Sequence, residues 1–373
     1  MPTLEDFLMQ PTPDFARLPQ SIRTPSFPYG HCQGIAVDTE RGCVYYSFTT
    51  ALVKTDLSGN FLGSAVGLLG HLGCIVRNGE DGLIYGSLEY KNDAIGKGIL
   101  KRAAVSGTVE NGFYIAVFDG DKIVRAEMDA EGDGIMTAAF LKPVTDDYLG
   151  TAENGEMHIF GCSGIDGTAI GPMPGDAAQN PKQWLFVAYG IYSDVNRCDN
   201  DHQVLLRFDP EDIKAHAKPL SQENMHRLGE DMAYARYFVY TGNTTYGVQN
   251  LEYDPARNVY LMAVYQGKKP QFPNYPMYLI DAGKAPVHTV LCGLGTQKGD
   301  LLSLAPGNVY DDTAKIPGVD YPYGATGIAA LGADDAGVPY YYVSYDEHEE
   351  NGWYTVVRLC RGDDEHFIVP AER

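Results

Sequence analysis

The sequence predicts an all-β fold built from repeated units. Its 373 residues include 26 Tyr, 42 Gly and 22 Pro, and runs with helical periodicity are scarce. The stretch "GHCQGIAVDTERGCVYYSF" returns about forty residues later as "GHLGCIVRNGEDGLIYGSL". A chain rich in strand and turn residues that repeats at this period favours a radial repeat architecture.

Five units match the opening stretch, and each predicts a strand, a turn rich in Asp, Asn and Gly, and a second strand. A third strand follows in the form "ALVKTDLSGN", "GFYIAVFDGDKIV", "HQVLLRFDPED", "MYLIDAGKAP" or "YTVVRLCRGDDE". A weaker fourth run follows, for example "FLGSAVGL", "HTVLCGLG" and "HFIVP". Four antiparallel strands per unit predict a β-propeller with five four-stranded blades. The predicted blade starts are His31, His71, Gly161, Gly247 and Gly324.

The spacing of these starts leaves the blade count open, because the second gap is about twice the usual repeat length of roughly 40–50 residues. Six or seven blades also fit, with "FYIAVFDGDKIVRAEMDA" as the core of an extra blade. Residues 1–30 are proline-studded and predict an extended N-terminal arm that helps to close the ring. Residues 31–373 are then a single propeller domain.

The charge balance argues against two classes of partner. The formal net charge is −21, and such a surface repels nucleic acid and anionic membrane surfaces. The sequence shows neither an apolar run long enough for a membrane helix nor a signal peptide at its start, which predicts a cytoplasmic protein. Seven cysteines without C-x-x-C spacing argue against a disulfide framework and a zinc knuckle.

Propeller geometry separates two faces. The short turns "DTERG", "NGEDG", "DPARN" and "GADDAG" fall on one face. The starts of the inner strands share the other face with four long polar loops: "SLEYKNDAIGKG", "YGIYSDVNRCDNDHQ", "YQGKKPQFPNYPM" and "SYDEHEENGWY". Long loops on a rigid scaffold are where binding and catalysis are usually found, so the site is predicted on this second face.

Two histidines occupy one repeat position in adjacent blades, where the other three blades have glycine. Two positions further in, small or amide side chains follow, which predicts a polar pocket at the channel mouth. The histidines fit three roles: general acid or base, divalent-metal ligand, or hydrogen-bonding structural group. The predicted catalytic residues are His31, His71, Glu89 and Asp166, and the predicted metal ligands are His31, His71 and His158.

Substrate-binding candidates are polar and aromatic residues of the same face. Aromatic rings suit stacking against sugar rings, whereas lysines suit hydroxyl or carboxylate groups. The acidic loop "YSDVNRCDND" lacks the glycine and the distal glutamate of an EF-hand, so a calcium loop of that kind is rejected. The candidates are Gln33, Tyr90, Lys91, Ser163, Tyr192, Asp194, Arg197, Gln249, Asn250, Tyr265, Lys268, Tyr345 and Asp346.

The arrangement resembles five-bladed propellers of the arabinanase and mannoside-phosphorylase types. The resemblance lies in the architecture and carries over no catalytic residue. It implies an enzyme that acts on a small polar substrate, most plausibly a carbohydrate, by hydrolysis, phosphorolysis or lyase chemistry. Two alternatives stay open: a non-catalytic carbohydrate- or protein-binding propeller, and a metal-assisted lactonase or phosphoester hydrolase. Two carboxylates, or a carboxylate and a histidine, converging in one pocket would favour the enzyme.

Overall fold

The chain is a five-bladed β-propeller. The computed structural model describes residues 14–371, with 46% of the chain in strands and 8% in helices. Five antiparallel sheets form a ring, which confirms the prediction of five blades. The inner strands are β2 (Cys32–Asp38), β6 (His71–Arg77), β11 (Cys162–Pro172), β15 (Thr245–Asp254) and β22 (Ile328–Ala333).

The stretch that suggested an extra blade belongs to blades 1 and 2. The strand order is β2-β3-β4-β5-β9 in blade 1 and β6-β7-β8-β10 in blade 2. The stretch "FYIAVFDGDKIVRAEMDA" supplies the third strand of blade 2 and the edge strand β9 of blade 1, so no sixth blade forms between them. The strands are β3 (Cys43–Phe48), β4 (Ala51–Asp56), β5 (Phe61–Val66), β7 (Ile84–Tyr90), β8 (Gly112–Phe118), β9 (Met128–Asp129) and β10 (Met136–Phe140).

A strand that was predicted for blade 4 lies in blade 3. The run "HTVLCGLG" was predicted as the fourth strand of blade 4, but its first three residues belong to β18, which pairs with β19 at the outer edge of blade 3. Blade 4 has the order β15-β16-β17, and a two-stranded ribbon, β20-β21, follows. The strands are β12 (Gln183–Ile191), β13 (His202–Phe208), β14 (Tyr234–Tyr240), β16 (Val259–Tyr265), β17 (Met277–Asp281), β18 (Val287–Val290), β19 (Lys298–Leu301), β20 (Val309–Asp311) and β21 (Ile316–Gly318).

Blade 5 contains strands from both ends of the described chain. Its path is β22-β23-β24-β1, where β1 (Ser21–Arg23) pairs antiparallel with β24. The buried Ile22 of β1 lies opposite Val357. The last strand pairs with another part of β24. The ring is therefore closed by β1. The remaining strands are β23 (Pro339–Glu349), β24 (Gly352–Asp363) and β25 (Phe367–Pro370).

Three short helices lie between strands. They are α1 (Ala94–Arg102), α2 (Lys142–Leu149) and α3 (Pro210–His216). The predicted loop "SLEYKNDAIGKG" thus contains most of α1, whose N-cap Asp93 accepts a hydrogen bond from the Gly96 N–H at 2.9 Å. Within residues 14–371, no helix is long and apolar enough to cross a membrane.

Asn250 closes the central channel beneath its mouth. The side chain is 1% exposed, and its amide donates hydrogen bonds to the carbonyls of Gln33 and Ala325, both at 2.8 Å. The thiol of Cys74 donates to the Asn250 Oδ1 at 3.2 Å. One side chain of blade 4 therefore ties together backbone or side-chain groups of three other blades.

Replacing Asn250 with alanine is expected to lower the free energy of unfolding by about 1–3 kcal/mol, because two buried carbonyls lose their donor. Urea titration of the purified protein measures this change. Asn60→Ala, in the turn between β4 and β5, is the control, because it removes a hydrogen bond between exposed side chains. An unchanged unfolding midpoint for Asn250→Ala would show that the ring does not depend on this closure.

Candidate functional site

A polar pocket of about 120 Å³ lies at the mouth of the channel. The strand register places the starts of the inner strands beside the ends of the second strands, as between His71 and Glu89 or between Cys162 and Ile191. Blades 1 to 4 and the first turn of α1 all contribute walls. The lining residues are His31, Gln33, His71, Glu89, Lys91, Ile95, Ser163, Ile165, Asp166, Gly190, Tyr246, Gln249 and Tyr265.

The structure brings all four predicted catalytic residues into this pocket. Five of the predicted substrate-binding residues line it as well: Gln33, Lys91, Ser163, Gln249 and Tyr265. Gln33, Ser163 and Gln249 lie in inner strands, where the repeat alignment placed them. Lys91 and Tyr265, which were predicted from long loops, lie at or next to the ends of second strands. The other eight binding candidates lie outside the pocket lining.

Glu89 and Lys91 form a buried ion pair on one wall. Their side chains are 4% and 6% exposed, and Lys91 Nζ lies 2.5 Å from Glu89 Oε1. The same ammonium donates to the Ser163 carbonyl at 2.8 Å and lies 3.4 Å from the Asp93 carboxylate. Three acceptors of the protein therefore surround the three N–H donors of Lys91. Lys91 stabilises the wall and has no donor left for a ligand, contrary to the predicted binding role.

The second oxygen of Glu89 is also held by the protein. Glu89 Oε2 accepts a hydrogen bond from the Ile165 N–H at 3.0 Å. The neighbouring Gly164 has φ +129°, and a Cβ at that position would collide with this oxygen. Burial raises the pKa of Glu89, whereas Lys91 and the Ile165 N–H oppose that rise. The environment thus partly offsets the cost of keeping this carboxylate charged.

Asp166 is in a different environment from Glu89. Its Oδ2 accepts a hydrogen bond from Gln249 at 3.2 Å, while its Oδ1 is buried without a partner. Burial, followed by the charge of Glu89, raises the pKa of Asp166 well above its ordinary value. A Cβ at Gly73 would collide with Oδ1, so the glycine leaves room for this carboxyl group. Asp166 therefore favours its protonated form more strongly than an exposed aspartate.

Both histidines are held in the neutral form. Burial lowers the pKa of His71 to about 3, with Lys91 and His31 adding to the effect. Burial, followed by Arg102, lowers the pKa of His31. The Nε2 of His31 lies 2.9 Å from the amide nitrogen of Gln33, whereas His71 Nδ1 is buried without a hydrogen-bond partner. Burial therefore favours the neutral imidazole over the charged form in both residues.

The predicted third metal ligand, His158, does not join the two pocket histidines. It lies before the turn into β11 with φ +67°, its Nδ1 is 2.6 Å from the Tyr148 carbonyl, and its ring packs against Tyr192. Among residues 14–371, no group of three or more His, Cys, Asp or Glu side chains is arranged to hold a metal ion. The structure therefore does not bring the three histidines that were predicted as metal ligands together.

Four binding candidates lie in the loops of blades 3 and 4. Tyr192 packs on His158, and Asp194 is exposed and accepts from the Asn196 N–H. Arg197 pairs with Asp199 at 2.7 Å and donates to two backbone carbonyls. Lys268 is exposed, whereas its neighbour Lys269 is fully buried. These side chains pack or form bonds within the loops, or are exposed on them.

The other four lie in the core or in blade 5. Tyr90 is buried and donates to Gln222 at 3.0 Å, and Asn250 closes the channel as described. Tyr345 packs against another tyrosine, Tyr323. Asp346 accepts hydrogen bonds from the Cys32 N–H and the Thr355 hydroxyl, and burial raises its pKa to about 7. Blade 5 contributes none of the residues that line the pocket.

Four lining residues were not among the predicted site residues. Ile95 comes from α1, which lies partly in a segment that was predicted as a loop. Ile165 adds an apolar side chain to the wall, and Gly190 adds a position without a side chain. Tyr246 lies directly before the predicted blade start Gly247, at the position that precedes His31 and His71 in blades 1 and 2. This repeat position could have predicted from the sequence that Tyr246 lies at the pocket.

A larger cavity of about 500 Å³ lies away from the channel, between the segments 151–160, 198–199 and 293–297. Its two acidic residues do not form a convergent pair: Asp199 is bound to Arg197, and Glu153 lies in an exposed turn. Unlike this cavity, the channel pocket combines two buried carboxyl groups with an unpartnered buried oxygen, so its chemistry identifies it as the candidate site.

No family model and no curated protein matches the chain. Solved structures with partial similarity include hydrazine synthase of Kuenenia stuttgartiensis (9% identity, 92% of this chain and 69% of that chain, TM-score 0.32). A GH43 β-1,3-galactosidase with galactodeoxynojirimycin has 12% identity, 94% and 99% coverage and a TM-score of 0.36. The PQQ domain of pyranose dehydrogenase from Coprinopsis cinerea has 11% identity, 91% and 95% coverage and a TM-score of 0.29. At these values the likeness carries no argument about activity, and the five sheets of this chain define its fold.

Proposed function

We propose that the protein is an enzyme that hydrolyses a small carbohydrate substrate in the channel pocket by general acid–base catalysis. The observation that carries the proposal is the convergence of two buried carboxyl groups, Glu89 and Asp166, in one pocket. A purely binding propeller has no need to bury two such groups, because each costs free energy unless it is neutralised or paired.

The two carboxyl groups have environments suited to opposite roles. Asp166 is the proposed proton donor, because burial and the charge of Glu89 favour its protonated form. Glu89 is the proposed base or nucleophile, since Lys91 and the Ile165 N–H stabilise its charge. Cleavage of a glycosidic bond requires this division between one acid and one carboxylate. The neutral imidazole of His71 then offers Nδ1 to a substrate hydroxyl.

Incubation of the purified protein with a panel of 4-nitrophenyl α- and β-glycosides tests the proposal, with release of nitrophenolate as the readout. We expect turnover with at least one glycoside, and a loss of about 10²–10⁴-fold in kcat for Glu89→Gln. Asp194→Asn, which changes an exposed acid of the same face, is the control and keeps full activity. Binding of sugars without turnover on any glycoside would instead identify a carbohydrate-binding propeller.

A further inference from the structure

The pocket is open at one end only. Below Gln33, the side chain of Asn250 crosses the channel and is bonded to the carbonyls of Gln33 and Ala325, and both Asn250 and Cys74 are at most 2% exposed. Pockets for drug-sized ligands measure about 300–1,000 Å³, so a pocket of about 120 Å³ has room for a single small unit. A longer molecule must leave through the mouth.

An exposed aromatic residue lies at that mouth. Tyr246 lines the pocket and is 46% exposed. Its φ of +61° is in the left-handed region, at a register shift between β15 and β16. Such a conformation is costly for an aromatic residue and is concentrated at functional sites. The Tyr246 carbonyl accepts from Gln249, which also donates to Asp166, so the mouth and the acid share one hydrogen-bonding group.

The pocket offers no free cation to an acidic ligand. The ammonium of Lys91 is surrounded by Glu89, Asp93 and the Ser163 carbonyl. The charge of Arg102 also affects the pocket histidines, but Arg102 is exposed at the end of α1 and is not part of the lining. A negatively charged unit would therefore meet Glu89 and Asp166 without a compensating donor.

We propose that the pocket receives the uncharged terminal unit of a longer carbohydrate chain, while the ring of Tyr246 contacts the neighbouring unit outside the mouth. This inference rests on the proposed carbohydrate function and adds to it a direction of binding and a charge preference. It makes the protein specific for chain ends, because an internal unit cannot enter a pocket that is closed at its base.

Isothermal titration calorimetry with neutral and acidic oligosaccharides of about two to six units tests the inference. The set includes linear chains of glucose, galactose, mannose, xylose and arabinose, cyclic chains of glucose, and uronic-acid chains. We expect a linear neutral chain to bind, with cyclic and acidic chains at least tenfold weaker. Asparagine tolerates a left-handed φ, and Tyr246→Asn is expected to weaken binding of the chain about tenfold more than binding of the matching monosaccharide.

Tyr310→Asn removes a similarly exposed ring, 54% exposed in β20, and is expected to leave both affinities unchanged. Equal binding of cyclic and linear chains, tighter binding of acidic chains, or equal loss of monosaccharide and chain binding in Tyr246→Asn would each overturn the chain-end inference while leaving the enzyme proposal intact. Absence of binding to every sugar, together with absence of turnover, would overturn both.

Discussion

Replacing Lys269 with methionine is expected to lower the free energy of unfolding by about 3–5 kcal/mol, the usual cost of removing one partner of a buried ion pair. Lys269 is fully buried. Its ammonium contacts the Asp201 carboxylate and the Arg197 carbonyl, and donates to Asn200 Oδ1 at 2.8 Å. All three acceptors belong to one loop of blade 3. Without the ammonium, Asp201 stays buried without its counter-charge.

Lys268→Met is the matched control, because the adjacent lysine is exposed and the chemical change is identical. We expect it to change stability by no more than about 0.5 kcal/mol. The double variant Lys269→Met/Asp201→Leu is expected to recover part of the loss, since it removes both buried charges. Urea unfolding followed by circular dichroism measures all three variants. Equal midpoints for Lys268→Met and Lys269→Met would refute the role of this lysine.

Asp166→Asn is expected to abolish most turnover and yet stabilise the protein at neutral pH. The proposed proton donor is lost, which lowers kcat by about 10²–10⁴-fold on a glycoside that the wild type cleaves. Stability moves in the opposite direction, because asparagine stays neutral in a site whose burial and neighbouring Glu89 charge disfavour an ionised carboxylate. Active-site residues often lower stability in this way.

The difference in stability between the wild type and Asp166→Asn is expected to depend on pH. Asp166 has a raised pKa in the folded protein, so the unfolded chain ionises first as the pH rises. The wild type therefore loses stability relative to Asp166→Asn from about pH 4, the ordinary pKa of aspartate, up to the folded pKa, and the difference is constant above it. Thermal unfolding of both proteins between about pH 3 and about pH 8 measures the difference. A wild type more stable than the variant at pH 7 would contradict the assignment.

The repeat determined the blades from sequence alone. A strand, an acidic or glycine-rich turn and a second strand are local features, so five copies of the pattern located the inner strands to within a few residues. The same alignment placed His31, His71, Glu89 and Asp166 at the starts or neighbouring ends of strands that face one channel. Their convergence in the pocket follows from ring geometry and needs no knowledge of individual contacts.

The tertiary structure decided which partner each side chain has. In the sequence, Lys91 and Lys268 looked equally available to a ligand. The structure surrounds the Lys91 ammonium with three acceptors. The buried lysine of the other pair is Lys269, which donates to Asn200, and not Lys268. Asn250 looked like a ligand-binding amide, and its partners in other blades make it the channel closure. These assignments depend on distances between blades, which no local pattern encodes.

Edge pairing was decided in the same way. Strand β18 joins blade 3 instead of blade 4, and β1 closes blade 5, because an exposed strand edge pairs with whichever segment lies beside it in space. The sequence by itself determined the repeated blade unit, the channel-facing positions and the residue types at the mouth, whereas the structure settled the count of five blades. Only the tertiary structure decided which of those polar groups stay unpartnered, namely His71 Nδ1 and Asp166 Oδ1, since a group's free hydrogen-bonding capacity depends on neighbours that are distant in the chain.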